Sequence, residues 1–279
     1  MLATDGAGRG RLQVKVLRGR AVLSTNISQS LFSEAADWSV FDVNVRLGSS
    51  GIHGELALNT AQLMGEMQQF HIRQALVSHW ESEEYDAARG NKTLTRELGA
   101  NMIPAWGALP DSKSVEALAK RQPVAVRLTP NVMQHNFSLA RWCAGELLEY
   151  LQANGVITLV VAADLGWPGI PAVLDAFPKL PMVLLETGYR CDRYLFPLLD
   201  RYPTLHFDSS TYLAHRQLES FIEHRGPERV LFGTRLPLYT PASALGALSS
   251  SRINDADRLA VAGGNLRRLI SCAKFGAAQ

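Results

Sequence analysis

Eight short apolar segments, each followed by a segment with helical spacing, predict a (β/α)8 barrel, the TIM-barrel fold of the α/β class. Each segment is rich in Val, Ile, Leu and Phe, and the segments begin 22 to 33 residues apart. Such uninterrupted segments are typical of parallel strands buried on both faces. The chain of 279 residues suits one barrel, which typically needs about 250. The expected strands are FDVNV from Phe41, QALVSHW from Gln74, MIPAW from Met102, VAVRL from Val124, ITLVVAADL from Ile157, MVLLETG from Met182, LHFDSS from Leu205 and RVLFGT from Arg229.

The segments between these strands carry helix start and stop signals. Ser138 is expected to cap a helix with apolar positions at Cys143, Leu147 and Leu151, and Gly155 follows it as a C-terminal glycine. Further helices are expected at 212–224 and 254–271. Eight alternations of strand and helix close naturally into a barrel. A doubly wound open sheet has the same alternation, but the sequence after the first strand matches no glycine-rich phosphate loop.

The first 38 residues are predicted to precede the barrel, which then spans residues 39–279. Residues 12–24 alternate apolar and polar positions around Arg18-Gly19-Arg20, which predicts a short β-hairpin, and residues 25–38 are predicted to be a linker. The start of the chain is basic, and such a segment is more often a solvated terminus than a contact for RNA or lipid. Its basic residues are Arg9, Arg11, Lys15, Arg18 and Arg20.

Composition argues against nucleic acid and membrane partners. The net charge is +2, from 28 basic and 26 acidic residues, so no overall field attracts either. No apolar run approaches the roughly 18 residues that a membrane span requires, and the start lacks the apolar stretch of a signal peptide. We therefore expect a cytoplasmic protein. Cys143, Cys191 and Cys272 lack CxxC spacing and are expected to be reduced thiols without structural zinc.

The candidate site is the set of polar residues at the predicted strand ends, because a parallel barrel collects its active site at the C-terminal ends of its strands. His135, in the loop after the fourth strand, is a further candidate because long loops often lie over a barrel mouth. A lone histidine is more often structural, which applies to both His79 and His135. From the first strand to the eighth, the residues at the ends are Asn44 and Arg46, His79, Trp106, Arg127, Asp164, Glu186, Asp208 and Arg235.

Six motifs between Asp42 and Ile270 resemble, in order and spacing, those of the amidohydrolase-2 branch of the amidohydrolase superfamily. The motifs are FDVNVRLG, GNKTL, AADLG, LLETG, PERVLFGTRLP and GGNLRRLI. Members of this family are metal-dependent barrels that hydrolyse or decarboxylate small molecules. The resemblance therefore implies a barrel with a reactive mouth at the C-terminal strand ends.

This chain departs from the family at the positions of the metal ligands. The family's Asp-x-His-x-His is here Asp42-Val43-Asn44-Val45-Arg46, so Asn44 and Arg46 replace both histidines. Asp164 and Glu186 replace the histidines of the fifth and sixth strands, and Arg235 replaces the aspartate of the eighth. A guanidinium group does not lose its proton and cannot become a metal ligand. We therefore expect no metal and no other cofactor, whereas zinc or magnesium would be expected if the strand ends align differently.

These substitutions predict a charge network. Arg46 and Arg235 are expected to pair with Asp164 and Glu186 and to fill the former metal site. The alternative is an arginine fork, supported by Arg127, that binds a carboxylate or phosphate. An oxygen-only magnesium site of Asp208, Ser209, Ser210, Asp164 and Glu186 is disfavoured by the same arginines.

Two functions remain open at this point. The favoured one is a metal-free protein that holds a small anionic metabolite with Arg46, Arg127 and Arg235, near Asn44, His135 and Asp208. The other is an active hydrolase, of amidohydrolase, lactonase or related decarboxylase type, acting on a small carboxylated substrate. Its base would be Asp164, Glu186 or His79. The superfamily that the motifs resemble includes a lactonase that acts on 2-pyrone-4,6-dicarboxylate without a metal ion and holds the substrate carboxylates with arginines. The sequence does not identify the substrate, and it leaves open whether the chain forms a homodimer.

Overall fold

A curled sheet of nine strands forms the centre of the protein, as seen in a computed structural model that describes residues 32–54 and 56–274. Eight strands run parallel, and each pairs with the next parallel strand along the chain. All eight predicted strands are therefore present. The additional strand β2, of two residues, pairs antiparallel with the end of β1 and was not predicted. The bounds are β1 Val40–Ser49, β2 Ala57–Leu58, β3 Ile72–His79, β4 Met102–Gly107, β5 Ala125–Leu128, β6 Ile157–Val161, β7 Met182–Leu185, β8 Leu205–Asp208 and β9 Val230–Leu231.

Helices connect the strands and cover the sheet. A 3-10 helix at Ser33–Trp38 precedes β1, and a π-helical turn at Ala260–Gly264 separates the last two α-helices. The α-helices are α1 Thr60–Gln69, α2 Trp80–Glu84, α3 Ala87–Glu97, α4 Ser112–Arg121, α5 Arg141–Asn154, α6 Ala162–Leu165, α7 Gly169–Ala176, α8 Asp192–Arg201, α9 Gln217–Arg225, α10 Pro241–Ser250, α11 Asp255–Leu259 and α12 Asn265–Cys272.

The predicted helix signals set some of these bounds. Gly155 ends α5 in the left-handed conformation, as expected for a C-terminal glycine. The predicted cap at Ser138 is wrong, because α5 begins at Arg141 and its N-cap is Ala140. The helix expected from residue 212 begins only at Gln217. The single helix expected at 254–271 starts after its Asn254 cap but is interrupted by the π-helical turn. There, a side chain at Gly263 would lie 2.8 Å from the Ser39 carbonyl oxygen, so glycine permits the close approach of this turn to the start of β1.

The sheet is buried on both faces, which explains why its strands are uninterrupted apolar segments. On β7, Val183 and Leu185 belong to one buried cluster, whereas Met182 and Leu184 belong to the other. Side chains alternate between the two faces of a strand. The cluster with Met182 and Leu184 therefore lies on the face that the helices cover, and the cluster with Val183 and Leu185 lies on the opposite face. This alternation also determines which polar residues of the strands share a face.

Backbone hydrogen bonds join β1 to the segment that follows β9. Val43 N donates to Phe232 O at 2.9 Å, and Arg46 N donates to Leu236 O at 3.0 Å. Val45 and Leu236 form a parallel bridge at the same place. Residues that are far apart in the chain are thereby adjacent at the C-terminal edge of the sheet.

The predicted hairpin at residues 12–24 and the basic segment lie outside the described residues. The described part of the predicted linker is instead the 3-10 helix, whose Ala35 and Trp38 are buried. The three cysteines all fall within the described ranges and are free thiols. Across those ranges, no helix is long and apolar enough to cross a membrane.

Candidate functional site

Arg46, at the C-terminal end of β1, is held between two carboxylates. Its Nε donates to Glu83 Oε2 at 3.0 Å, and its Nη2 donates to Glu186 Oε1 at 3.0 Å. Only 4% of the Arg46 side chain is exposed. Burial alone would lower the pKa of Arg46, but the two carboxylates raise it, so the guanidinium stays charged. Its charge is thus neutralised within the protein.

Arg127, near the end of β5, shares the same two carboxylates. Its Nε lies 3.2 Å from Glu83 Oε1 and its Nη2 lies 3.7 Å from Glu186 Oε1, as ion pairs without hydrogen-bond geometry. Its Nη1 donates to Asn44 Oδ1 at 2.9 Å. Arg127 is among the largest fully buried side chains of the described protein. A buried cation of this kind needs its carboxylate partners, because an unpaired buried charge is very costly.

Arg235, in the segment after β9, is the most accessible of the three arginines. Its Nε lies 2.6 Å from Glu186 Oε2, and 23% of its side chain is exposed. Its guanidinium carbon lies 5.0 Å from the ring centroid of Tyr239. Within the described ranges, neither of its terminal Nη groups has a hydrogen-bond partner. Arg235 therefore retains donors that can bind a further group.

The predicted charge network is present, but its acids are Glu83 and Glu186 rather than Asp164 and Glu186. Arg46 and Arg235 both pair with Glu186, as expected. Their predicted pairing with Asp164 is wrong, because Asp164 Oδ1 instead accepts a hydrogen bond from Asn131 Nδ2 at 2.9 Å. Glu83 takes the place that was assigned to Asp164. We refer to Arg46, Arg127, Arg235, Glu83 and Glu186 as the mouth network.

Glu83 was missed because its sequence context, Glu81-Ser82-Glu83-Glu84, is typical of an exposed helical turn. The structure places this turn in α2, directly after β3, where His79 Nδ1 caps the helix by accepting a hydrogen bond from Glu81 N. Ser78 Oγ also donates to Glu83 Oε1. The predicted strand ends carry three arginines and three carboxylates, so their charges gave no signal that a further acid was needed.

A layer of buried carboxylates and amides lies beneath the mouth network. Asp208 Oδ2 accepts from Asn44 Nδ2 at 3.0 Å, and Asp208 Oδ1 accepts from Glu186 N at 2.8 Å. Asp42 accepts hydrogen bonds from Asn44 N and from the backbone and hydroxyl of Thr234. Burial raises the pKa of both Asp42 and Asp208 to about 6. This layer fixes Asn44 and the backbone of Glu186 rather than facing the cavity.

The raised pKa of Asp208 predicts a stability that falls as the pH rises. Because the folded-state pKa, about 6, exceeds the ordinary value of 3.8, the native state binds the proton more tightly. A difference of about 2 pKa units corresponds to roughly 3 kcal/mol of unfolding free energy, present below pH 4 and lost as the pH rises through 6. We expect the Asp208→Asn variant to show a flatter decrease between pH 4 and 7 in urea denaturation. An unchanged slope in this variant would contradict the assignment.

A cavity of about 390 Å³ opens at the C-terminal edge of the sheet, above the mouth network. Arg46, Arg235 and Glu186 line it together with Asp164. Asp164 lies in α6 rather than at a strand end, because β6 stops at Val161. Burial raises the pKa of Asp164, against the lowering effect of the Asn131 hydrogen bond. The apolar part of the wall is formed by Ile52, Trp80, Met133, Val161 and Leu238.

Six of the ten candidates from the sequence do not line this cavity: Asn44, His79, Trp106, Arg127, His135 and Asp208. His79 packs against Gly48 and caps α2, and burial lowers its pKa, so its imidazole is neutral. His135 Nε2 lies 2.9 Å from the Ser82 carbonyl oxygen and does not line the cavity. Asp208 is fully buried in the layer below. His53, an exposed residue of the connection after β1, also lines the cavity, with its ring 5.3 Å from that of Trp80.

Two residues of the mouth network have strained backbones. Glu186 has a φ of 58° and Arg235 a φ of 63°, in the left-handed region that non-glycine residues rarely adopt. Each such conformation costs on the order of 1–3 kcal/mol and persists only when the surroundings enforce it. Such strain concentrates at functional sites, and here it falls on two residues that form an ion pair at the cavity.

The donors at the mouth do not fit the divalent metal that the motif resemblance implies. Three guanidinium groups occupy the region, and they repel a cation at short range. The two carboxylates of the network are already bound by these arginines. In the part of the chain that is described, no group of three or more His, Cys, Asp or Glu side chains is arranged to hold a metal ion.

The fold is similar to that of solved TIM-barrel structures. A TIM-barrel protein from Bordetella bronchiseptica has 15% sequence identity and a TM-score of 0.66, covering 83% of this chain and 98% of that chain. 5-Carboxyvanillate decarboxylase from Sphingomonas paucimobilis has 15% identity and a TM-score of 0.63, with the same coverage. An amidohydrolase II structure has 14% identity and a TM-score of 0.62, covering 84% and 100%. No family model and no curated protein matches the sequence. At 14–15% identity these similarities concern the fold, and they agree with the barrel-type fold that the motif resemblance implied.

Proposed function

We propose that this protein is an enzyme that binds a small carboxylated molecule in the mouth cavity and hydrolyses or decarboxylates it without a metal ion. The observation that carries this proposal is the pairing of two different groups on one cavity wall, a guanidinium with free donors and a carboxyl with a raised pKa. The first can hold an anion and the second can transfer a proton. Enzymes among the structures with a similar fold support this choice over a protein that only binds.

Arg235 is proposed to bind the substrate carboxylate. The mouth network contains three guanidinium groups and two carboxylates, so the network itself, without Asp164, carries one net positive charge. Arg46 and Arg127 are buried and have both carboxylates as partners, whereas Arg235 is exposed to the cavity. A guanidinium can donate two parallel hydrogen bonds to a carboxylate, which fixes the orientation of the ligand as well as its position.

Asp164 is proposed to exchange the proton that the reaction needs. A raised pKa brings a carboxyl group closer to neutral pH, where a general acid or base works best. Glu186 is less suited to this role because three arginines surround its carboxylate. Hydrolysis would use Asp164 to take a proton from water, and decarboxylation would use it to protonate the carbon that loses carbon dioxide.

Closure of the sheet into a complete (β/α)8 barrel is part of this proposal. The hydrogen bonds between β1 and residues 232–236 support it, because they bring Arg46 and Arg235 to opposite sides of Glu186. An open sheet would leave the two arginines on separate edges. The proposed site therefore requires the closed form.

The Arg235→Ala variant tests the binding part of the proposal. Screening small mono- and dicarboxylates by thermal shift should identify a ligand, and calorimetry should then show a dissociation constant at least about tenfold higher in the variant, the equivalent of about 1.4 kcal/mol. Arg235→Lys should fall between the two, because an ammonium cannot reproduce the bidentate contact. Arg201→Ala, at an exposed ion pair, is the matched control. Wild-type affinity in Arg235→Ala would reject the carboxylate site.

The second candidate function is a metal-free protein that binds a small anionic metabolite without converting it. The observation that favours it is that the mouth network neutralises Glu186, one of the two carboxylates that line the cavity. Both functions predict the same effect of Arg235→Ala on binding. They differ in product formation, which chromatography of the incubated ligand in chelator-treated buffer would detect only for the enzyme.

A further inference from the structure

A second cavity lies between α3 and α4, on the outer side of the sheet. Its volume is about 450 Å³, and it shares no lining residue with the mouth cavity. Lys92 and Arg96 of α3 are spaced i, i+4, so they lie on one face of that helix. Ala117 and Arg121 of α4 have the same spacing, with Lys120 beside them. Each helix therefore presents one face to a common groove, which we call the α3–α4 groove.

The α3–α4 groove is strongly basic. Four cations line it, Lys92, Arg96, Lys120 and Arg121, and no acidic residue does. In the described structure, none of the four forms an ion pair. Some surface arginines elsewhere in the described residues pair with a carboxylate, as in Arg89–Glu81, Arg141–Glu149 and Arg201–Asp175, whereas the exposed Arg73, Arg190 and Arg193 do not. The four cations of the groove are exposed or line its open side without such a partner, so a ligand can reach them.

An aromatic side chain lines the same groove as the four cations. Trp106 of β4 is half-buried and lines the groove together with Ala88 and Ala117. Asn91 of α3 holds the end of β4 in place, because its Nδ2 donates to Gly107 O at 2.7 Å and its Oδ1 accepts from Gly107 N at 2.8 Å. The backbone next to Trp106 is therefore fixed relative to α3. The indole offers an apolar surface that can stack with a flat ring.

We propose that the α3–α4 groove binds a phosphorylated aromatic molecule of nucleotide size, with its ring against Trp106 and its phosphates between the cations of α3 and α4. Lysine and arginine are the side chains that bind phosphate oxygens most strongly. Stacking on an aromatic side chain adds affinity for a nucleobase without requiring a particular base. The volume of the groove falls within the roughly 300–1,000 Å³ range of small-molecule sites.

Calorimetry with ADP, inorganic pyrophosphate and adenosine tests each part of this proposal on the wild-type protein. We expect ADP to bind more tightly than pyrophosphate and adenosine, and we expect its dissociation constant to rise with sodium chloride because salt screens exposed charges. No binding of ADP would overturn the proposal. Equal affinity for ADP and pyrophosphate would overturn the aromatic part of it.

Substitutions locate the binding in the groove. The double variant Lys92→Ala/Lys120→Ala should raise the dissociation constant for ADP by at least about tenfold. Lys113→Ala/Lys179→Ala removes two exposed lysines outside the groove and should leave it unchanged. Trp106→Leu should reduce the affinity for ADP to that for pyrophosphate. An equal loss in the control variant would overturn the site, whereas Arg235→Ala should leave ADP binding intact, which separates this site from the proposed mouth site.

Discussion

Replacing Asp164 with asparagine should reduce turnover of the carboxylated substrate by at least about 100-fold while its binding changes little. General acid–base catalysis contributes roughly 10²–10⁴ to a rate, and an amide cannot transfer the proton. Asparagine keeps the shape of Asp164, and its oxygen can still accept the hydrogen bond from Asn131. Steady-state kinetics should therefore show a lower kcat with a nearly unchanged KM. Asp200→Asn, at an exposed ion pair with Arg225, is the control and should keep full activity.

The Asn131→Ala variant separates a catalytic Asp164 from one that only shapes the cavity. The Asn131 hydrogen bond lowers the pKa of Asp164, so its removal raises that pKa further. If Asp164 acts as a base, the acidic limb of the pH–rate profile should move to higher pH. A profile that falls in amplitude without moving would assign Asp164 a structural role and reject the proposed proton transfer.

Glu83→Gln should destabilise the protein by about 3–5 kcal/mol, the usual cost of removing one partner of a buried ion pair. Only 1% of the Glu83 side chain is exposed, and both Arg46 and Arg127 depend on it. After the substitution, two buried guanidinium groups would share Glu186 as their remaining carboxylate within the mouth network. Urea denaturation gives the change in unfolding free energy. Glu149→Gln, at the exposed pair with Arg141, should cost less than about 1 kcal/mol.

A compensating substitution checks that buried charge is the cause. Adding Arg127→Met to Glu83→Gln removes one of the unpaired cations and should restore part of the lost stability, since an apolar residue of similar volume tolerates burial. The interaction between the two positions is then the difference between the double variant and the sum of the single variants. A purely additive loss would show that Glu83 and Arg127 are not coupled.

The strands could be predicted because the physics of each one is local. A parallel strand buried on both faces must be apolar at every position, and this pattern is visible in segments such as Met182–Leu185. The identity of Arg46, Arg235 and Glu186 as neighbours also followed, because a parallel sheet brings its C-terminal strand ends together. The extent of β6 did not follow, because the apolar run continues past Val161 into α6.

The partners of the charges could not be predicted because they depend on how connecting segments fold back. Glu83 lies on a one-turn helix whose sequence is that of an exposed turn, and only its position over Arg46 and Arg127 makes it buried. His53 reaches the cavity wall from the connection after β1 in the same way. Polarity alone does not distinguish a loop residue that faces solvent from one that faces the mouth.

The hydrogen bonds between β1 and residues 232–236 have a consequence for the order of folding. Arg46 and Arg235 belong to opposite ends of the chain, so their contact closes a very long loop and has a high entropic cost. Contacts between distant segments form slowly, and larger proteins often pass through partly assembled intermediates. The mouth network is therefore expected to be among the last parts to assemble, and an intermediate that lacks β9 would have the other strands but no functional mouth.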